Sequence, residues 1–241
     1  MNDDASARVA LVTGASRGIG RAAAQALAAA GAHVILVART VGGLEELDDD
    51  IRKAGGSATL VPLNLKDFVA LDRLGAAIYE RWGRLDALFG NAGVLGVLTP
   101  LAHLDPKVFQ ELLDINVTAN WRLIRSLDPL LRSSAAGRAL FVTSGAARKN
   151  YPFWGGYAMS KLALESLALS YAAECEGTNV KVNLLNPGPV RTAMRAKAMP
   201  GEDPGTLPKP AALAPLIVEM LSPSYEKNGE LVTFKRADQS A

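Results

Sequence analysis

The chain of 241 residues has 49% hydrophobic and 21% charged residues, which is typical of a folded globular protein and not of a disordered or fibrous one. Its formal net charge is only +2 and its Lys and Arg residues are scattered, which argues against a nucleic-acid-binding protein. No apolar stretch approaches the roughly 18 residues that span a bilayer, so no membrane partner is expected.

The amino terminus and the cysteine content predict a cytoplasmic protein. The first residues, MNDDASAR, are acidic and polar, unlike a secretory signal. Cys175 is the only cysteine, so no disulfide framework is expected and a reducing compartment is the default. His33 and His103 are far apart and lack carboxylate neighbours at ligand spacing, so we expect no metal site.

Short apolar runs alternate with longer helical patterns along the chain. An alanine-rich helix is predicted from about Gly18 to Ala30, directly after the first strand. Runs that are apolar on both faces and joined by helices indicate a parallel sheet covered on both sides, which right-handed crossovers make doubly wound. Without a repeat or an obvious linker, residues 1–241 are predicted to form one α/β domain. The predicted strands are residues 8–13, 33–38, 58–63, 85–90, 138–143, 180–185 and 229–234.

A helix that begins near residue 106 contains an unusual asparagine. Asp105 is placed to cap this helix and Pro106 occupies its first position, where a missing N–H costs nothing. The helix then continues past Asn116, Val117 and Thr118, all of which are poor helix formers. Asn116 therefore indicates either a solvent-facing residue or a local distortion with a function.

A glycine-rich turn follows the first strand, at the sheet edge where open α/β sheets bind ligands. Its sequence is TGASRGIG, and Gly14, Gly18 and Gly20 would let the backbone approach a pyrophosphate at the amino end of the next helix. The alternative is a tight strand–helix turn without a ligand.

Other strands also end in residues that are unusual for structure. The fourth predicted strand is followed by NAG (91–93), the fifth by Ser144 and the sixth by NPGPVRT (186–192). Tyr157 stands four positions before Lys161 in YAMSK, at the start of a helix. Each motif is weak alone. NAG, Ser144 and NPGPVRT, however, all follow parallel strands and so lie at one edge of the sheet, which favours a functional site there.

In their order, these motifs resemble the short-chain dehydrogenases/reductases, and the resemblance extends from about Val9 to Phe234. Within that family the chain looks like a bacterial subgroup of oxidoreductases. The resemblance implies a Rossmann fold with a seven-stranded parallel sheet, and hydride transfer between a nicotinamide cofactor and a carbonyl or alcohol. The implied catalytic residues are Ser144, Tyr157, Lys161 and Asn116.

The chemistry of hydride transfer suits these residue types. A reduced carbonyl needs a proton, which Tyr157 would donate, but a free tyrosine has a pKa of about 10. A lysine cation one helical turn away, about 4 Å from the phenol, would lower that pKa. Ser144 would donate a hydrogen bond to the substrate oxygen. By resemblance, Lys161 also binds the nicotinamide ribose, and Asn116 would hold a water that links Lys161 to solvent.

The second strand predicts a preference for NADP(H) over NAD(H). An NAD-preferring protein carries an acidic residue at the end of this strand, whereas this chain has Ala38 there, followed by Arg39. Arg17 lies in the glycine turn. A guanidinium suits a 2′-phosphate. Asn64, followed by Leu65, stands where the family usually has an aspartate that contacts adenine. The predicted cofactor-binding residues are Gly14, Ser16, Arg17, Gly18, Ile19, Gly20, Arg39, Asn64, Leu65, Asn91, Ala92, Gly93, Tyr157, Lys161, Pro187, Gly188, Val190 and Thr192.

The substrate is expected to be a small carbonyl compound or alcohol, and the aromatic residues before Tyr157 suggest an apolar one. A core or subunit-packing role for Trp154 is an open alternative. The segment at about 191–209 is rich in Gly, Pro and Ala and is expected to act as a substrate lid. The expected pocket residues are Val94, Leu95, Tyr151, Phe153 and Trp154, while Arg191, Arg195 and Lys197 either meet an anionic group or stay solvated.

The helix that begins at Tyr157 is apolar around much of its circumference, which predicts a homodimer or homotetramer. Two other classes of function compete with an NADP(H)-dependent oxidoreductase, namely a redox sensor and an epimerase or dehydratase, and within the oxidoreductase class a 3-oxoacyl-carrier-protein reductase is possible. A redox sensor without turnover would be expected to lose Tyr157, Lys161 or Ser144, which this chain keeps. A 3-oxoacyl-carrier-protein reductase would need a basic patch for its acidic carrier, and an epimerase or dehydratase normally has a longer substrate domain.

Overall fold

Seven parallel strands form one sheet in the computed structural model, which describes residues 7–235. The strand order is β3-β2-β1-β4-β5-β6-β7. β2 and β3 are therefore added on one side of β1, and β4 to β7 on its other side. This is the doubly wound, Rossmann-type topology, and the predicted fold class is confirmed. The strands are β1 (Val9–Thr13), β2 (His33–Ala38), β3 (Ser57–Pro62), β4 (Ala87–Gly90), β5 (Arg138–Val142), β6 (Lys181–Asn186) and β7 (Leu231–Thr233).

Two strands are shorter than the apolar pattern predicts by two residues or more. β4 begins at Ala87 and not at Leu85, because the Leu85 amide donates to the Leu130 carbonyl at the end of a helix. β7 has 3 residues and pairs only with β6, as an edge strand does. β2 has the predicted bounds.

Helices cover both faces of the sheet and create two apolar cores. α3, α5 and α6 pack on one face, and α1, α2 and α8 pack on the other. Among residues 7–235, no helix is both long and apolar enough to cross a membrane. The helices are α1 (Gly18–Ala29), α2 (Val41–Lys53), α3 (Phe68–Trp82), α4 (Pro106–Leu113), α5 (Ala119–Ser133), α6 (Gly155–Glu174), α7 (Ala193–Ala198) and α8 (Ala214–Met220).

A π-helical turn, Asp114–Thr118, joins α4 to α5. The Asp105 carboxylate caps α4 by accepting from the Lys107 amide at 2.6 Å, as its sequence predicts. Asn116 lies within the π turn and is 0% exposed. Of the two interpretations of Asn116, the local distortion is therefore the one observed, and such turns are frequent at functional sites.

Candidate active site

The glycine turn packs tightly against the loop that follows β4. Gly14 and Gly18 have φ of +66° and +58°, a region that favours glycine. A Cβ on Gly20 would collide with the Gly14 carbonyl and lie 2.7 Å from the side-chain amide nitrogen of Asn91. α1 begins at Gly18 without a side-chain cap, so its first backbone N–H groups face the sheet edge without a side-chain acceptor.

Thr13 connects this turn to the NAG loop, a contact that the sequence analysis missed. Its hydroxyl accepts from the Asn91 and Ala92 amides, both at 3.0 Å, and its carbonyl accepts from the Asn91 side chain at 2.9 Å. Because Thr13 is the last residue of β1, these bonds fix the NAG loop relative to the sheet. Its place as a polar residue ending an apolar strand was the available signal.

Ser144 and Tyr157 meet at the end of β5. Ser144 begins the short 3₁₀ helix Gly145–Arg148, where its hydroxyl accepts from the Ala146 amide at 3.2 Å. Tyr157 lies buried in the first turn of α6. Burial raises the pKa of the Tyr157 phenol, while its hydrogen bond with Ser144 acts in the opposite direction.

Lys161 lies one turn further along α6 and is 3% exposed. Its ammonium group donates to the Val142 carbonyl, the last of β5, at 2.9 Å. Burial lowers the pKa of Lys161 to about 8. The pKa of Tyr157 was predicted to fall under the influence of Lys161, but burial of the phenol dominates in the chain alone.

Asn116 holds the NAG loop against α6. Its side-chain amide donates to the Val94 carbonyl and the Ser160 hydroxyl, both at 2.9 Å, and accepts from the Val94 amide at 2.8 Å. The Ser160 hydroxyl in turn donates to the Tyr157 carbonyl at 2.8 Å. Both amide hydrogens of Asn116 therefore bind protein atoms, and its role in holding a water stays a prediction.

Glu165 joins the strand that leads to Ser144 with the helix that carries Tyr157. It is 2% exposed, and its two carboxylate oxygens accept from the Thr143 hydroxyl at 2.7 Å and from Arg148 Nε at 2.8 Å. Glu165 belongs to none of the sequence motifs described above. The signal was a carboxylate one turn after Lys161, on a helix face expected to be buried.

The remaining predicted residues lie along the same edge. Thr192, after β6, approaches the glycine turn, because its methyl carbon would lie 3.6 Å from a Cβ on Gly18. Arg17 and Arg39 are exposed, and the exposed Asn64 accepts from the Lys66 amide at 3.1 Å. Ser16, Ile19, Leu65, Ala92, Gly93, Pro187, Gly188 and Val190 also lie in the segments that follow β1, β3, β4 and β6. Among the described residues, no group of three or more His, Cys, Asp or Glu could hold a metal ion.

The sequence profile described as short chain dehydrogenase matches residues 8–203 of this chain. The chain belongs to the short-chain dehydrogenase family. Among relatives of this family, the uncharacterized oxidoreductase YciK of Escherichia coli K12 is 38% identical over 89% of this chain and 86% of its own length. The sepiapterin reductase of Chlorobaculum tepidum is 31% identical over 93% of this chain and 94% of its own length.

Solved structures of short-chain dehydrogenases share the fold. A protein from Pseudomonas syringae superposes with a TM-score of 0.91 at 41% identity, covering 94% of each chain. A protein from Shigella flexneri 2a, complexed with NADP, has a TM-score of 0.90 at 38% identity and covers 94% of this chain and 96% of its own. A protein from E. coli CFT073, complexed with NADPH, has a TM-score of 0.88 at 38% identity and covers 94% of this chain and 95% of its own.

Proposed function

We propose that this short-chain dehydrogenase is an oxidoreductase that transfers a hydride between NADP(H) and a carbonyl or alcohol substrate. The observation that carries the proposal is the convergence of three side chains at one sheet edge. Ser144 lies close enough to the Tyr157 phenol to oppose the rise of its pKa on burial, and Lys161 is a buried amine one helical turn away. A hydroxyl donor, a proton donor and a titratable cation are the parts that carbonyl reduction requires.

The residues at the edge fit a nicotinamide dinucleotide. Glycine is required at position 20, where a Cβ would strike the Gly14 carbonyl, and the uncapped amino end of α1 suits a pyrophosphate. Ala38 ends β2 where an NAD-preferring protein has an acid, and the exposed Arg39 and Arg17 suit a 2′-phosphate. The neighbours complexed with NADP and NADPH support this choice. The bound cofactor supplies or accepts the hydride.

The proposed mechanism assigns one task to each side chain. Ser144 donates a hydrogen bond to the substrate oxygen, and Tyr157 gives that oxygen a proton as negative charge develops on it. The resulting phenolate is stabilised by Lys161, since opposite charges about 4 Å apart attract by about 4 kcal/mol at an effective dielectric constant of about 20. Asn116 and Glu165 act as positioning residues, because each holds a loop of the site against α6.

Two further proposals concern the surroundings of the site. Residues 191–209 contain α7 and a 3₁₀ turn, Pro204–Thr206, more regular structure than their composition suggests, and we propose that they close over substrate. The exposed face of α6 includes Leu162, and Trp121 is exposed on α5. We propose that a second copy covers these side chains in a homodimer or homotetramer, which a purely monomeric sedimentation profile would contradict.

The test combines cofactor binding with turnover. Nicotinamide fluorescence titrations should show NADPH binding at least about tenfold tighter than NADH, a difference of about 1.4 kcal/mol, and Arg39→Ala should remove it. The wild type should then oxidise NADPH with members of a carbonyl panel, whereas Tyr157→Phe should bind NADPH normally and lose activity. NADPH binding without turnover would leave a non-catalytic sensor, and failure to bind either nucleotide would reject the proposed function.

A further inference from the structure

Exposed apolar side chains concentrate around Tyr157. They come from three segments, namely the loop after the NAG motif, the residues before α6, and α7 with the residue after it. Six of the large hydrophobic side chains that are exposed belong to these segments: Val97, Leu101, Tyr151, Phe153, Met194 and Met199. Soluble proteins rarely expose contiguous apolar patches without a binding role.

The three segments contact one another beside the reactive phenol. Trp154 and Ala198, from the residues before α6 and from α7, pack against an apolar cluster that includes Tyr157 and Leu95. The Thr99 amide donates to the Phe153 carbonyl at 3.0 Å, which joins the loop after the NAG motif to the residues before α6. The three segments are therefore neighbours around Tyr157, and the apolar surface that they form there is here called the cleft.

One wall of this cleft is a row of aromatic rings. The Trp154 ring lies 6.0 Å from the Tyr157 ring, edge to face, and 6.1 Å from the Tyr151 ring. Aromatic walls of this kind bury a large apolar area at a small cost in side-chain entropy. The row extends from the reactive phenol to the exposed Tyr151 and presents an apolar surface between them.

Phe153 is held in a strained conformation at the mouth of this cleft. Its φ of +72° makes it the one non-glycine residue with positive φ among residues 7–235, and its side chain is 57% exposed. A bulky residue in this region costs about 1–2 kcal/mol, and such strain clusters at functional sites. Because the ring is exposed, core packing does not account for the strain.

Three of the cations near the cleft, Arg195, Lys197 and Lys149, already have contacts. Arg195 of α7 forms two 2.6 Å bonds with the Glu202 carboxylate, and Lys197 donates to the Gly96 carbonyl at 3.1 Å. The Lys149 ammonium lies 5.9 Å from the centre of the Tyr151 ring. An anionic substrate would have to compete with these contacts, whereas a neutral one would not.

We propose that the cleft binds an uncharged aromatic ketone or aldehyde, with its ring system on Trp154 and Phe153 and its oxygen at Ser144 and Tyr157. This substrate class rests on the proposed function. In the reduction, the carbonyl carbon takes up a hydride from the reduced nicotinamide and the carbonyl oxygen takes up the proton of Tyr157. An alcohol and the oxidised nicotinamide are the products, and the Tyr157 phenolate regains a proton from solvent.

The test measures binding without turnover. The full chain saturated with NADP⁺ is titrated with 2-acetylnaphthalene and with its carboxylate analogue, 6-acetyl-2-naphthoate, by isothermal calorimetry. We expect the neutral ketone to bind at least about tenfold more tightly than the carboxylate, and Trp154→Ala to weaken ketone binding at least about tenfold. The matched control is Tyr79→Ala, which removes an exposed aromatic side chain on α3 and should leave ketone affinity unchanged.

Phe153→Gly separates binding from folding. It removes the ring and the strain together, so the variant should be at least as resistant to thermal unfolding as the wild type and yet bind the ketone several-fold more weakly. Equal or tighter binding of the carboxylate, or unchanged ketone affinity in both Trp154→Ala and Phe153→Gly, would overturn the inference. Ketone binding without turnover by the NADPH complex would reject the proposed function alone. Turnover of polar carbonyls without ketone binding would reject the substrate class alone.

Discussion

Cations are buried at both edges of the sheet, the one formed by the amino ends of the strands and the one formed by their carboxyl ends, but they have different roles. At the amino edge, Arg138 is 4% exposed and donates to the carbonyls of Gly137, Asn179 and Pro223. Arg8 nearby likewise donates to three backbone carbonyls of neighbouring loops. These guanidinium groups therefore fasten the loops that enter the sheet.

β5 begins at Arg138 and ends at Val142. At its carboxyl end, Lys161 of α6 donates to one carbonyl, that of Val142. An ammonium group has three hydrogens, so two are left for groups other than this carbonyl. Lysine can also lose its proton near neutral pH when buried, whereas arginine cannot. Burial of a cation is therefore no guide to function by itself. Two properties distinguish the cation of the proposed catalytic edge from those of the structural edge. Lys161 has hydrogens left for further acceptors, and it can lose its proton near neutral pH.

Among variants that keep Tyr157, replacement of Lys161 by methionine should have the largest effect on rate. Without the cation the Tyr157 phenolate loses about 4 kcal/mol of attraction, so the single-turnover rate of NADPH oxidation should fall about a thousandfold. Thermal unfolding should occur at the same temperature as in the wild type or higher, because a buried charge is removed. A rate within tenfold of the wild type would show that Lys161 belongs with the structural cations.

Replacement of Arg138 by methionine should show the opposite pattern. Three carbonyls lose their donor at about 1 kcal/mol each, so the free energy of unfolding in urea should fall by about 3 kcal/mol. The loss of unfolding free energy should not greatly exceed this value, because a cavity of about 470 Å³ beside Arg138 admits water, which can donate to the carbonyls in place of the guanidinium. The turnover number per folded molecule should be unchanged, and a fall in kcat with unchanged stability would contradict the assignment.

The pH dependence of stability should sharpen the contrast. Burial lowers the pKa of Lys161 from 10.5 to about 8, so the folded state holds its proton less tightly than the unfolded state. Below pH 8 both states are protonated, and the wild type is destabilised by up to about 3 kcal/mol, since a tenfold change in proton affinity is worth about 1.4 kcal/mol. Between pH 8 and 10.5 the unfolded state binds more protons, so this destabilisation disappears as pH rises.

Lys161→Met should therefore be more stable than the wild type at pH 7, and the difference should shrink as the pH approaches 10.5. Parallel urea titrations of the two proteins from pH 7 to 10 measure it, and Tyr157 is common to both. A difference that stays constant over this range would mean that Lys161 does not titrate there.

The sequence predicts the sheet and the positions of the motifs well because both depend on local patterns. Apolar runs locate all seven strands, and the motifs after β1, β4, β5 and β6 all lie at one edge, as the parallel topology requires. What the sequence did not predict depends on long-range contacts. Thr13 and Glu165 each bind groups far away in the chain, and no local pattern gives those partners. The direction of the Tyr157 pKa depends on burial, which helix spacing does not report.

The smallest expected effect tests whether Glu165 shapes the proposed catalytic edge or only stabilises it. Glu165→Gln keeps the size of the side chain and an oxygen for Thr143, but it removes the charge that faces Arg148. Loosening of the Ser144 loop should lower kcat about tenfold, because misplacement of a hydrogen-bond donor weakens the transition state. The Kd for NADPH should not change, since these residues lie away from the glycine turn.

Arg148→Ala is the matched control, because it removes the other partner of the same ion pair. If the pair acts as a unit, the double variant should be no slower than either single variant, a coupling that a mutant cycle on kcat measures. If the reductions in kcat of the two single variants multiply in the double variant, Glu165 acts through its hydrogen bond with Thr143 and not through Arg148. An unchanged kcat in Glu165→Gln with reduced stability would place this buried carboxylate with Arg138, as a structural charge at the edge proposed for catalysis.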